Sequence, residues 1–333
     1  MSLISAALKP RSVLIATDFS ETSEKALSYA LAIARFYGSK LCLAHVLSSI
    51  GLAMAGPDAI AACEQAVRRE VADLRDWLLR TGALGGIEHK FIVRQGELWP
   101  GLREITRHEG TDLMVVGTHG RHGMGKLFFG SVAEQIFRQA DCPVLTVGPH
   151  SNKHPWVGTS FTERTFLFAT DFGPASFHGL TQAVAVANQF RSRLAFLTVI
   201  PAIPSSQHKG WRTVADLRKL REDARRIALQ RLAEVAHNAM LDVRPEFHVE
   251  FESREPVSAW ILETAERLRA DLIILGLHDS GYNGVISHLA STTAYDVACS
   301  SSSPVLTLSC SSGYEELQCD RPKGQSRLCR RPI

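Results

Sequence analysis

The chain has 333 residues, room for two ordinary domains at roughly 150 residues each. Hydrophobic residues make up 45% and charged residues 21%, a balance that excludes disordered, collagenous and membrane-dominated classes. A formal charge of +3, with Lys and Arg interleaved among acids, excludes the concentrated basic face of a nucleic-acid binder.

No run reaches the ~18 apolar residues of a membrane span. Met1 to Arg11 show no apolar core followed by a small-residue cleavage site, so neither membrane nor secretion is expected. Seven cysteines without a CxxC pair argue against zinc and disulfide scaffolds. Cys42, Cys142 and Cys299 stand in apolar surroundings, as free thiols do in a reducing cytoplasm.

In chain order, short β-branched runs alternate with longer amphipathic stretches. Val13–Ala16, Leu41–Val46, Lys90–Val93, Leu113–Val116 and Val144–Val147 read as buried parallel strands. Ala26, Leu27, Ala30, Leu31 and Ala34 recur at helical spacing after Ser20 or Thr22, either of which suits an N-cap. Further helices are expected from Pro57 to near Gly82, from about Leu98 to His108, and from Val132 to Gln139. Strands and helices in this alternation imply right-handed βαβ units and an open, mostly parallel α/β sheet.

The same order then occurs again. Residues 11–46 and 164–199 align without a gap and are identical at 14 of 36 positions, ATDF included. The match resumes as TDLMVVG (111–117) against ADLIILG (270–276), and closes as PVLTV (143–147) against PVLTL (304–308). Two homologous units therefore follow one another, a first over 1–149 and a second over 164–309. The polar, Pro- and Gly-bearing stretch 150–163 reads as a linker. Residues 310–333, with Cys310, Cys319 and Cys329, lack apolar periodicity and read as a disordered tail.

In an open parallel sheet, ligands bind beyond the carboxyl ends of the strands near the point where strand order reverses. Asp18 follows the first strand and His45–Val46 closes the second. After the fourth strand comes GTHGRHGMGKLFFGS (117–131), five glycines leading into a helix. Glycines let backbone approach a phosphate, and the free N–H groups of a helix start point at it. Ser131 adds a hydroxyl at the N-cap; Arg121, Lys126 and the helix dipole add positive potential. GRHGMGKL fits the spacing of a phosphate-loop NTPase, but Leu127 replaces the Mg²⁺-holding Ser or Thr and the segment follows the wrong strand. His45 reads as packing or hydrogen-bonded, and His119 and His122, without a third ligand, as exposed loop residues.

The residues ATDFS (16–20), AHV (44–46), Gly96, DLMVVGTHGRHG (112–123), GSVAE (130–134) and CPVLTV (142–147) resemble the universal stress proteins. Members that bind ATP share Gly, two residues, Gly, nine residues, Gly, then Ser or Thr; Gly117, Gly120, Gly130 and Ser131 match each step. The resemblance implies two Rossmann-like domains of the adenine-nucleotide type and ATP, with Mg²⁺, in the first. Ala16, Thr17 and Asp18 would lie against the nucleotide, with Asp18 near ribose, phosphates or the Mg²⁺, unless it only caps the following turn. Val46 would meet adenine through its backbone. Gly117, Gly120, Gly130, Ser131 and the Val132 N–H would cradle ribose and phosphates.

The second repeat keeps Asp171 and Gly276 but places Asp279, Leu289 and Ala290 at the remaining positions, a degenerate site. The resemblance further implies that last strands pair, so that Val144–Val147 and Val305–Leu308 join within one chain, beside homodimerisation and an unidentified protein partner. No nucleophile–base pair, paired carboxylates or placed arginine finger is evident, so slow hydrolysis is the most that is expected. The function read is a cytoplasmic ATP-binding stress-response regulator. Its alternatives are an ATP-independent interaction scaffold and an adenylyl transferase, whose HxGH-type signature is missing.

Overall fold

A computed structural model of the chain describes residues 8–47, 57–118, 135–136, 139–151, 155, 164–200, 214–238, 245–251, 255–277 and 293–309. The first repeat opens with strand β1 (Ser12–Ala16), buried from Ser12 to Ile15 and partly exposed at Ala16. Helix α1 (Glu21–Tyr37) follows; Ser20 is its N-cap, accepting from the Ser23 N–H, with Glu21 and Glu24 at the positive end of the dipole. Then come β2 (Lys40–Leu47), α2 (Pro57–Arg80), β3 (His89–Gln95), α3 (Leu98–His108), β4 (Leu113–Gly117) and β5 (Val144–Val147). Of the helix expected over Val132 to Gln139, residues 135, 136 and 139 are described and helical.

The second repeat copies the series as β6 (Thr165–Ala169), α4 (Pro174–Gln189), β7 (Arg193–Ile200), α5 (Val214–Asn238), β8 (Glu246–Phe251), α6 (Val257–Arg267), β9 (Leu272–Leu277) and β10 (Val305–Ser309). Residues 293–300 form a further helical segment before β10. The tail 310–333 and all of the linker except His150, Ser151 and Pro155 lie outside the described residues.

The ten described strands form a single sheet in the order β3-β2-β1-β4-β5-β10-β9-β6-β7-β8. Within each repeat every pair is parallel, and the order reverses between β1 and β4 and again between β6 and β9. The repeats meet through one antiparallel pair, with Val305 opposite Thr146, Leu306 opposite Leu145 and Thr307 opposite Val144. PVLTV and PVLTL are equivalent segments, so the outer two pairs are images of each other. Leu145 and Leu306 therefore straddle a pseudo-twofold axis normal to the sheet, an isologous contact made inside one chain. The last-strand pairing expected from the resemblance is thus present, and it removes two sheet edges. The same axis sends the carboxyl ends of the two repeats to opposite margins of the sheet.

One face of the sheet carries a core that runs through both repeats, from Val13, Ile15, Tyr29 and Ile33 to Phe166, Phe168, Val184 and Phe196. Helices α1 and α4 cover its centre, where Tyr37 donates to Gln189 Oε1 at 3.0 Å and Phe36 packs 5.4 Å from Phe190. On the other face the core is divided. Leu14, Cys42 and Met114 pack against Trp99 and Leu102 of α3, whereas Leu167 and Ile273 pack against Ile261 of α6 and Val297 of residues 293–300.

Carboxylates fasten the amino ends of the central strands. Asp112 Oδ2 accepts from the N–H groups of Arg11 (2.8 Å) and Ser12 (3.2 Å), and Asp271 Oδ2 accepts from Thr165 at 3.0 Å. This explains the aspartate shared by TDLMVVG and ADLIILG. Beside Asp112, Glu109 receives Lys90 at 2.6 Å and Lys40 at 3.0 Å, and these ammonium groups lower its carboxyl to about 2. Among the described residues, no helix is long and apolar enough to cross a membrane.

Candidate functional site

The first strand ends in a turn that the sequence ATDFS specifies atom by atom. Asp18 Oδ1 accepts from the Ser20 N–H at 3.1 Å, the Ser20 hydroxyl at 2.6 Å and the Ser23 hydroxyl at 2.5 Å. The Asp18 N–H returns a bond to Ser23 Oγ at 3.3 Å, and the Phe19 N–H donates to Thr17 Oγ1 at 3.1 Å. Phe19 adopts φ 61°, a left-handed conformation that a bulky residue takes only when its neighbours impose it. The turn reappears in the second repeat: Phe172 has φ 60°, and Asp171 Oδ1 accepts from Gly173 N–H (2.7 Å) and Ser176 Oγ (2.6 Å). Asp18 therefore does cap the turn, as its counterpart does.

Thr17 and β2 are joined twice. The Thr17 N–H donates to Ala44 O at 2.9 Å, and His45 Nδ1 lies 2.7 Å from Thr17 O. A carbonyl only accepts, so this ring nitrogen carries the proton. The His45 ring also packs 5.0 Å from that of Phe19. His45 is thus a hydrogen-bonded packing residue, placed where β1 and β2 finish together. Val46 is buried next to it and faces α3, where a Cβ on Gly101 would stand 3.1 Å from Val46 Cγ1.

Gly117 closes β4 beside this turn. A Cβ there would fall 2.8 Å from the Thr22 carbonyl carbon and 2.9 Å from the Ser23 N. Both atoms are backbone, so only glycine lets the end of β4 lie against the first turn of α1. The structure thereby brings Ala16, Thr17, Asp18 and Gly117 together at the β1/β4 switch point, with Val46 one strand away. Gly120, Gly130, Ser131 and Val132 lie outside the described residues, as do Arg121, Lys126, His119 and His122, and Asp279, Leu289 and Ala290 of the second repeat.

Two contributors escaped the sequence reading. Ser23 donates to Asp18 from the first turn of α1, and its identity with Ser176 in the aligned repeats was the available signal. Thr118 is 1% exposed and donates its N–H to Val147 O at 3.0 Å, continuing β4 toward the glycine-rich segment. Its burial depends on a contact between distant elements, which local pattern does not encode.

In chemical terms the switch point offers backbone groups, hydroxyls and one carboxylate. Burial pushes the thiols of Cys42 and Cys142 up to about 11 and about 12, so both are protonated and unreactive at neutral pH. Among the described residues, no group of three His, Cys, Asp or Glu side chains gathers to hold a metal ion.

Residues 10–148 and 163–309 each match the model of the universal stress protein family. The chain belongs to that family and carries its domain twice. A universal stress protein of Mycolicibacterium smegmatis is 23% identical over 313 residues, 89% of this chain and 96% of that protein. One from Thermus aquaticus is 28% identical over 138 residues, 41% of this chain and 98% of that protein. The crystal structure of a universal stress protein from Archaeoglobus fulgidus is similar at TM-score 0.60 and 22% identity, covering 90% of this chain and 96% of its own.

Proposed function

We propose that this chain is an ATP-binding regulatory protein that holds one adenine nucleotide in its first repeat and hydrolyses it slowly at most. The observation that supports the reading is the meeting of the ATD turn with Gly117 at the β1/β4 switch point, the place where open α/β sheets take ligands. Ala16, Thr17, Asp18, Val46 and Gly117 form the described part of the proposed site, and Gly120, Gly130, Ser131 and the Val132 N–H complete it. Fold alone would not carry the reading, since this architecture hosts many activities.

A Mg²⁺ that accompanies phosphates needs one or two carboxylates and otherwise takes phosphate and water oxygens. Asp18 meets that need as a single carboxylate fixed by Ser20 and Ser23. The ion would neutralise phosphate charge. Asp18 holds the turn, Thr17 and Val46 present backbone, and Gly117 keeps β4 close to α1.

The second repeat, from 164 to 309, serves as the structural and interacting half in this reading, because Asp279, Leu289 and Ala290 replace its phosphate-facing positions. Edges β5 and β10 are used up inside the chain, so a homodimer would form through another surface. Free buried thiols suit a cytoplasmic setting.

The test is calorimetric titration of Mg²⁺–ATP into nucleotide-stripped protein, beside Gly130→Asp. One site per chain, lost in the variant, is expected. Absence of binding in folded protein would leave the ATP-independent scaffold as the reading.

A further inference from the structure

The end of β4 in the first repeat and the last helical segment of the second meet at Gly148. A Cβ at this position would stand 3.7 Å from Thr118 Oγ1, the residue that leads from β4 into the glycine-rich segment. On its other side the same Cβ would stand 3.1 Å from Ala298 O and 3.2 Å from Ser301 O. Glycine thus lets two backbones from different repeats approach beside the end of β4.

The residues around Gly148 are held from both directions. The Ser151 N–H donates to Gly148 O at 3.1 Å, and Pro149 O accepts from Lys25 Nζ at 3.1 Å. Lys25 also pairs with Glu21 in the first turn of α1 at 3.0 Å. Pro149, next to Gly148, is therefore fastened to the helix that the ATD turn starts. On the far side, the Ser301 N–H donates to Val297 O at 2.9 Å, the Ser303 N–H to Ser301 Oγ at 3.0 Å, and Ser303 Oγ to Ala270 O at 2.6 Å. Ser301 and Ser303 are buried, so the end of the 293–300 helix is joined firmly to the start of β9. The equivalent position in the second repeat is Ser309 rather than a glycine, so the arrangement has a direction.

We propose that nucleotide occupancy in the first repeat is transmitted through Gly148 to residues 293–301, which makes the second repeat the output element of the chain. The inference rests on the nucleotide reading above. Ligand that orders the ends of β1 and β4 restrains Thr118 and α1, and both bear on the segment that touches Ala298 and Ser301. Packed junctions of this kind pass on small displacements because they do not deform continuously.

The experiment is hydrogen exchange on the full chain with and without Mg²⁺–ATP, occupancy being measured calorimetrically on the same preparations. In the unmodified protein, amides of 297–301 should exchange roughly fivefold more slowly with ATP bound. Gly148→Ala should shrink that difference and, since coupling is reciprocal, weaken ATP binding by a similar factor. One ATP bound per chain with exchange at 297–301 unchanged would overturn the relay and leave the nucleotide reading standing. No ATP bound to folded, stripped protein would overturn both. If Gly148→Ala fails to fold, the comparison in the unmodified protein still decides.

Discussion

Ser23 Oγ donates to Asp18 Oδ1 at 2.5 Å, and the same bond joins Ser176 to Asp171 in the second repeat at 2.6 Å. An aspartate that the family resemblance assigns to a ligand is thus also the keystone of a turn, in a repeat with an intact phosphate motif and in one without. Structural and binding roles can be separated because the second repeat supplies the control.

Asp18→Ala and Asp171→Ala should each destabilise the chain by about 1–2 kcal/mol, the loss of a charged acceptor serving a helix start. Asp18→Ala alone should abolish ATP binding. Thermal unfolding and calorimetric titration of both variants check this; equal effects on ATP binding would remove Asp18 from the proposed site.

The pairing of Leu145 with Leu306 lies over a core that both repeats share. Heat should therefore unfold the two repeats in a single transition. Leu145→Ala, at a side chain 1% exposed, should lower stability by about 2–4 kcal/mol and still give one transition. Differential scanning calorimetry reads both quantities. Two separated transitions, with only the first displaced, would mean that the repeats melt as independent bodies.

Glu109 carries the pH dependence that the ion pairs at the amino ends produce. Lys90 and Lys40 hold its carboxyl at about 2, against an ordinary 4.5. A depressed folded value stabilises the fold above the unfolded value and fades as pH falls through the folded one. Glu109→Gln should therefore cost about 1 kcal/mol at neutral pH, reduced by solvent around the lysines. The gap between variant and parent should close as pH falls from about 4.5 toward 2. Urea titrations across that range measure it; a gap that widened in acid would contradict the assignment.

Much of this architecture was legible in the chain itself. Strand runs such as Leu113–Val116, the helix behind Ser20 and the reuse of PVLTV as PVLTL all report on local pattern or internal likeness. They led to the parallel order within each repeat, whereas the β5–β10 pairing was an expectation from the family resemblance. What stayed hidden depends on elements far apart in sequence: the Tyr37–Gln189 bond, the Asp112 and Asp271 carboxylates beneath the strands, and Gly148 against Ala298. Gly117 was legible as a glycine of the candidate site. That its missing side chain admits the first turn of α1 emerged only from the packing.

The antiparallel pair at the centre of the sheet also changes how the assembly responds to abundance. Two separate domains joined by such an edge would dissociate on dilution, with a midpoint set by their affinity. Here the tether fixes the effective concentration of each half around the other. The ten-stranded sheet is consequently as complete at the first molecule made as at the thousandth, and its integrity does not follow expression level.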